Sequence, residues 1–254
     1  MLDSFSLKGK RALVTGASRG LGYAIAEALA GAGAQTILHG RDRAALDRAQ
    51  AAFAQRGWSC SAVTCEITDE AAVRKMARDL LAQYGRVDIL VNNAGGNIRK
   101  GLLEASSADW RNVLEMDLTA CFALAQELAP GMIEAGWGRI INIGSVMSVL
   151  SRAGIPAYAA AKHGVAGLTR ALGAELGRKG VTVNAICPGF FVTEANQVHL
   201  QNPRFTAWVE ERTPLGRWGD PRELGGAAVF LASDAGSYVN GHLLMVDGGL
   251  TASM

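Results

Sequence analysis

A doubly wound α/β domain built on a parallel sheet is what this sequence of 254 residues predicts. Three observations carry that expectation. Short β-branched or aliphatic runs alternate with longer stretches whose apolar residues recur every three or four positions, the rhythm of strands joined by crossover helices. A glycine-rich turn follows the first strand run and leads straight into a helical pattern. No linker, composition shift or internal repeat divides the chain, so residues 1–254 read as one domain, large enough to bury a core without disulfides or metal.

Taken in order, the first strand run is Arg11–Thr15, followed by Gly16-Ala-Ser18-Arg19-Gly20-Leu21-Gly22 and a helix over 20–32. Further strand runs lie at Gln35–His39, Ser59–Thr64, Val87–Val91, Arg139–Gly144, Val181–Ile186 and Leu243–Val246, which implies seven strands. Helical periodicity covers 42–56, 69–84, 109–135, 156–178 and 221–232. Thr68-Asp69 and Asp220-Pro221 are expected helix starts, a polar cap in one case and a proline at the first helical position in the other. The stretch from about Gly189 to Gly219 reads as irregular. It carries Phe190, Phe191, Phe205, Trp208 and Trp218, and so is expected to be a substrate lid rather than a plain surface loop.

Charge excludes several function classes. With 25 Lys+Arg against 23 Asp+Glu and no long run of one sign, neither nucleic acid nor an anionic membrane is an expected partner, which leaves small-molecule chemistry. Cys60, Cys65, Cys121 and Cys187 lack metal-site spacing, and no metal is expected. The N-terminus has no apolar h-region and no window is apolar enough to span a bilayer, so a cytoplasmic protein is expected.

The chemistry is concentrated in Tyr158-Ala-Ala-Ala-Lys162, because four-residue spacing on a helix puts a phenol and an ammonium on one face. A free tyrosine has a pKa of about 10, and a nearby cation favours its phenolate, which suits it to acid–base work. In the glycine turn, glycines admit close backbone approach and unpaired amides at the helix start attract anions, as a dinucleotide pyrophosphate requires. An NAD site usually ends its second strand in a carboxylate that holds the ribose 2′-hydroxyl; that place here is Gly40, followed by Arg41, with Arg19 in the turn. Two guanidiniums suit a 2′-phosphate, so NADP(H) is favoured. NAD(H) is the alternative, with Asp42 taking the acidic role and the arginines serving as solvated helix-start residues.

With Asn92-Asn93-Ala94-Gly95, Ser145, Tyr158-x-x-x-Lys162 and Pro188-Gly189 added to the glycine turn in this order, the chain resembles the classical short-chain dehydrogenases/reductases along essentially its whole length. The resemblance implies a Rossmann-like domain with strand order 3-2-1-4-5-6-7. It also implies a homotetramer packed through the helices at 109–135 and 156–178. It implies that Tyr158 is the general acid or base, that Ser145 orients the substrate carbonyl, and that Lys162 binds the nicotinamide ribose and stabilises the Tyr158 phenolate. Gly16, Ser18, Arg19, Gly20, Leu21 and Gly22 would hold the pyrophosphate side. Arg41 would take the 2′-phosphate, and Glu66 stands where the family usually has an adenine-side Asp. Asn92, Ala94 and Gly95 would line the adenosine side, and Pro188, Gly189 and Thr193 would approach the nicotinamide.

One departure stands out: the family's fourth catalytic residue is an Asn, and the matching residue here is Asp117. An ionised Asp117 near Lys162 would raise the lysine pKa and partly offset its charge, leaving the phenolate less stabilised. Within the family, Phe5–Lys10 and the C-terminal run around Phe205–Trp208, Arg212–Pro214, Arg217–Pro221 and Val239–Leu244 are similar to bacterial gluconate 5-dehydrogenases, also called 5-ketogluconate reductases. That likeness implies a sugar-acid substrate, whose carboxylate Arg99 or Arg152 would bind. The competing expectations are a 3-oxoacyl-carrier-protein reductase and a non-catalytic dinucleotide-sensing protein.

Overall fold

Consecutive strand residues point to opposite faces of a sheet, and here both faces are apolar. In the computed structural model, which describes residues 2–253, Leu13, Ile37, Leu90 and Ile140 enter one buried cluster. Their immediate successors Val14, Leu38, Val91 and Ile141 enter another on the opposite face. The strands are β1 (Arg11–Val14), β2 (Gln35–Gly40), β3 (Cys60–Thr64), β4 (Ile89–Asn92), β5 (Gly138–Ile143), β6 (Val181–Pro188) and β7 (Leu243–Val246). They form a seven-stranded sheet in the order β3-β2-β1-β4-β5-β6-β7 with every neighbouring pair parallel, as expected.

Helices cover both faces. On one side lie α1 (Gly20–Gly31), α2 (Arg43–Gln55) and α9 (Glu223–Ala232), which contribute Ile25, Leu29, Leu46, Phe53, Leu224 and Leu231. On the other lie α3 (Glu70–Tyr84), α5 (Ala120–Glu134) and α6 (Pro156–Leu176), with Val73, Leu80, Leu124, Leu128 and Leu176. The strand order changes direction between β1 and β4, so a crevice opens at the carboxyl ends of these strands, where such sheets take their ligands.

The sequence expectations need three corrections. The single helix expected over 109–135 is α4 (Ser107–Leu114), a wider π-helical segment at Glu115–Thr119, and then α5. Ser106 and Asp109 form a capping box that starts α4 two residues early. The stretch 189–219 is not irregular: it holds α7 (Gln197–Leu200) and α8 (Pro203–Arg212), the latter capped by Asn202 with Pro203 in its first turn. Asp69 caps α3 as expected, but Asp220 does not cap α9 directly. Its carboxylate accepts the Arg222 N–H, which forms a turn ahead of the helix.

A buried polar chain sets α6 against the sheet. Asn92 on β4 donates to Asn142 on β5 at 2.8 Å, and Asn142 donates to Thr169 of α6 at 3.0 Å. Polar groups this deep are tolerated only when paired, so the bonds fix where α6 sits along β5.

Candidate active site

The carboxyl ends of the strands open into a cavity of about 710 Å³. At one end lies the glycine turn. Gly16 and Gly20 have φ of 64° and 59°, a left-handed conformation that side chains disfavour. At Gly22 a Cβ would collide with Asn93 Nδ2 and the Gly16 carbonyl. Asn93 bolts this turn to the end of β4 by donating to Thr15 O at 2.8 Å and Gly16 O at 3.1 Å. The first helical turn of α1 has no side-chain cap from Arg19. Its amides and the close-packed glycines therefore fit an anionic dinucleotide.

Gly16, Ser18, Arg19, Gly20, Leu21 and Gly22 all line the cavity, as do Arg41 and Glu66. Ala94, Gly95, Pro188, Gly189 and Thr193 line it as well. Asn92 does not: it is 3 % exposed and faces Asn142, while its neighbour Asn93 takes the place expected for it. The strand ends at Asn92, and successive residues alternate in direction, so one position of difference moves the side chain from cavity to core.

At the end of β2 no carboxylate is free. Asp42 is committed to capping α2, where it accepts the Ala45 N–H at 3.1 Å. Arg41 lies 4.0 Å from Glu66 and Arg19 lies 3.1 Å from Glu194, and all four side chains are well exposed. Exposed pairs of this kind are worth little and can exchange a carboxylate for a phosphate.

His39 lines the same end. It is 2 % exposed, with Nε2 3.1 Å from the Cys65 carbonyl and Nδ1 receiving the Gly16 N–H at 3.4 Å. That pattern assigns the neutral tautomer with hydrogen on Nε2. Burial lowers its pKa below the ordinary 6.5, with the Cys65 carbonyl and Glu66 partly opposing. A histidine of lowered pKa binds fewer protons folded than unfolded, so its contribution is intact above 6.5 and is lost as pH falls through the folded value. The thermal unfolding midpoint should therefore fall as pH drops below the ordinary 6.5, and His39→Gln should flatten the decline. An equal decline in the variant excludes His39 as its source.

The opposite end holds Ser145, Tyr158, Lys162 and Asp117. Ser145 leaves β5 extended, and its hydroxyl accepts the Met147 N–H at 3.1 Å. Tyr158 and Lys162 come from the first turns of α6, and the lysine Nζ lies 5.6 Å from the tyrosine ring centroid. Lys162 donates to the Ile143 carbonyl at 2.9 Å, and its Nζ lies 2.9 Å from Asp117 Oδ1. Ser145, Tyr158, Lys162 and Asp117 line the cavity together.

Asp117 sits in the π-helical segment and is 1 % exposed. Its Oδ2 accepts the Gly96 N–H at 3.2 Å, while Oδ1 has no aligned hydrogen bond, so its contact with Lys162 is Coulombic. Burial pulls the Lys162 pKa down, but Asp117 and then Tyr158 outweigh it and the net shift is upward. Asp117 is the buried residue of this wider π turn, and the apolar periodicity of 109–135 carries no trace of the turn.

Arg99 and Arg152 both line the mouth. Burial and the like charge of Arg152 lower the Arg99 pKa, which marks two guanidiniums close together. Among the described residues neither belongs to an ion pair. Phe190 also lines the cavity. Its ring packs edge-on against Phe205, Trp208 and Trp218 at 5.6, 5.8 and 5.6 Å, so most of the aromatic residues of 189–219 build a small core of their own. Sequence reading did not reach His39, Asn93 or Phe190 as cavity residues, although each adjoins a motif it used.

A parallel sheet in this order, a glycine turn at its switch point, and Ser145, Tyr158 and Lys162 at the far end of one crevice define a dinucleotide-dependent oxidoreductase class. The chain belongs to the short-chain dehydrogenase/reductase family, oxidoreductases acting on CH–OH groups. A family model described as "Enoyl-(Acyl carrier protein) reductase" matches residues 16–251. The chain is 45 % identical over 252 residues to gluconate 5-dehydrogenase of Gluconobacter oxydans (strain 621H), covering 99 % of this chain and 98 % of that one. It is 41 % identical over 254 residues to 5-keto-D-gluconate 5-reductase of Escherichia coli (strain K12), covering all of both. The crystal structure of a gluconate 5-dehydrogenase from Burkholderia cenocepacia J2315 in complex with NADP and tartrate is similar with a TM-score of 0.96 and 41 % identity. That match covers 100 % of this chain and 99 % of the other.

Proposed function

We propose that this protein is an NADP(H)-dependent oxidoreductase that interconverts a secondary alcohol and a ketone of a sugar acid such as gluconate and 5-ketogluconate. The observation that carries the proposal is the convergence of Ser145, Tyr158 and Lys162 on a cavity whose mouth holds two unpaired arginines. Similarity to enzymes named for gluconate supports the substrate class. The NADP complex of a similar protein supports the cofactor, as does the commitment of Asp42 to helix capping.

When bound, NADPH supplies hydride from its nicotinamide C4. The glycine-turn residues would hold the pyrophosphate and Arg19 and Arg41 the 2′-phosphate. Glu66, Ala94 and Gly95 would line the adenosine side, with Pro188, Gly189 and Thr193 near the nicotinamide. The Ser145 hydroxyl would donate to the substrate carbonyl oxygen and fix its position. Tyr158 would deliver the proton to that oxygen in reduction and remove it in oxidation. Lys162 would hold ribose hydroxyls and, through its ammonium, favour the phenolate left on Tyr158. Asp117 would moderate that ammonium. Arg99 and Arg152 would take the substrate carboxylate.

We read residues 189–219 as a lid, closing as a unit on its aromatic core. We further place the protein in the cytoplasm as a homotetramer. No helix among the described residues is long and apolar enough to cross a membrane. Trp110 on α4 and Phe122 on α5 are each 42 % exposed on the helices expected to pack between subunits.

One second reading, reduction of the 3-oxo group of an acyl chain borne on acyl carrier protein, is favoured by 40 % identity over 245 residues to a 3-oxoacyl-[acyl-carrier-protein] reductase. An absorbance assay at 340 nm with NADPH and NADH, run against 5-ketogluconate, an uncharged ketone and an acetoacetyl thioester, separates the two. The proposal expects NADPH and 5-ketogluconate to give the highest kcat/KM. Arg152→Met should raise KM for 5-ketogluconate by about tenfold or more, the scale of one charge-assisted hydrogen bond, and leave the uncharged ketone nearly unaffected. A thioester preference, or equal effects on both ketones, counts against it.

A further inference from the structure

Gly16, the first glycine of the phosphate turn, is gripped by side chains from two other parts of the chain. Asn93, just past β4, donates to its carbonyl at 3.1 Å, and His39 Nδ1, next to last in β2, accepts its N–H at 3.4 Å. The second ring nitrogen of His39, Nε2, donates to the Cys65 carbonyl in the loop after β3 at 3.1 Å. Gly16, His39, Cys65 and Asn93 all line the glycine-turn end of the cavity. One buried imidazole thus ties the ends of β1, β2 and β3 together where the pyrophosphate is expected.

Gly16 needs such a grip. Its φ of 64° is a conformation that glycine enters and leaves freely, and without a side chain it has no restraint of its own. A turn already held in the bound shape spends less of its binding energy on ordering, so an anchor on either side of the Gly16 peptide tightens the hold on an anion. With both nitrogens committed, the ring has room for one proton only, because a proton on Nδ1 would set N–H against N–H. The backbone carbonyl of His39 separately accepts the Ala17 N–H at 2.8 Å. That bond survives any change of the side chain, so the turn stays attached to β2 in every variant.

We propose that His39 is a positioning residue for the cofactor: its neutral ring holds the Gly16 N–H, opposite the Asn93 grip on the Gly16 carbonyl, and keeps the glycine turn in the shape that receives a dinucleotide pyrophosphate. The inference rests on the dinucleotide reading above and is independent of the substrate assigned there. Since the pyrophosphate is common to NADP and NAD, the role extends to both.

The test uses two substitutions that divide the ring between them. The Asn amide oxygen takes the place of Nδ1 and accepts the Gly16 N–H, whereas the Gln amide nitrogen takes the place of Nε2 and donates to the Cys65 carbonyl. Dissociation constants of NADP and NAD are measured by calorimetry at pH 8 for the native protein, His39→Asn and His39→Gln, with thermal unfolding midpoints to show that each variant is folded. His39→Asn should bind within about twofold of the native protein, and His39→Gln roughly fivefold more weakly, the scale of one neutral hydrogen bond. In the 340 nm assay His39→Gln should raise KM for NADPH by a similar factor and leave kcat and the ketone KM near their native values. Equal binding by all three proteins, equal weakening in both variants, or weakening confined to His39→Asn overturns the proposal, because a ring that only packs makes no distinction based on the Gly16 N–H. If the native protein binds NAD alone, the NADP preference falls and the comparison of the variants on NAD still decides the role of His39. If it binds neither nucleotide, the dinucleotide reading falls and this inference with it.

Discussion

Replacing Tyr158 with Phe is expected to lower turnover by about 10²- to 10⁴-fold, the range typical of a lost general acid or base, while leaving NADPH affinity near its original value. The phenol lines the far end of the crevice beside the ammonium of Lys162, and in the proposed reaction it is the proton donor to the substrate carbonyl. Phe preserves the ring that packs against the buried cluster of Val113, Ala157 and Ala161 and removes only the hydroxyl. Stopped-assay rates at 340 nm and a fluorescence titration of bound NADPH separate the two effects. Turnover retained in this variant would remove the chemical basis of the proposed function. Loss of both turnover and cofactor binding would point instead to a damaged fold.

The second large effect belongs to Asp117. Asp117→Leu strands the buried Lys162 ammonium with only the Ile143 carbonyl as partner, and breaking a buried pair from one side costs about 3–5 kcal/mol. Adding Lys162→Met should restore most of that stability, because two well-packed apolar side chains avoid burying charge altogether, yet activity should stay lost. Urea denaturation midpoints at unchanged m-value report the stability and the 340 nm assay the activity. Asp117→Asn is gentler, since it keeps volume and an acceptor for the Gly96 N–H while removing the charge. It should leave the Lys162 ammonium free to favour the phenolate and move the oxidation-rate pH profile towards lower pH. An unmoved profile rules out coupling between these groups.

Much of this was legible in the chain because it is governed by local rules. The alternation of strand and helix periods led to the observed sheet order once the family resemblance was added, and Asp69 capped its helix where its position called for it. Where local rules met an ambiguous pattern, reading failed. The Asn202-Pro203 start of α8 was hidden inside a stretch whose aromatic residues lack a clean period, since they pack on one another rather than on the sheet. A π turn adds one residue within an otherwise continuous helix, and a single such shift is hard to tell from ordinary scatter in apolar spacing, so the segment around Asp117 looked like uninterrupted helix.

By itself the sequence determined which elements form, in what order, and that Tyr158 and Lys162 share a helix face, because backbone geometry and side-chain period act over a few residues. Tertiary structure decided the rest. It turned Asn92 into the core and Asn93 into the cavity, used Asp42 as a cap, and set Asp117 against Lys162 across 45 residues of chain. It also brought His199 to the ring that Arg152 shares. Such pairings depend on the packing of distant elements, in which burial and low dielectric fix the partner of each polar group, and no spacing along the chain encodes them.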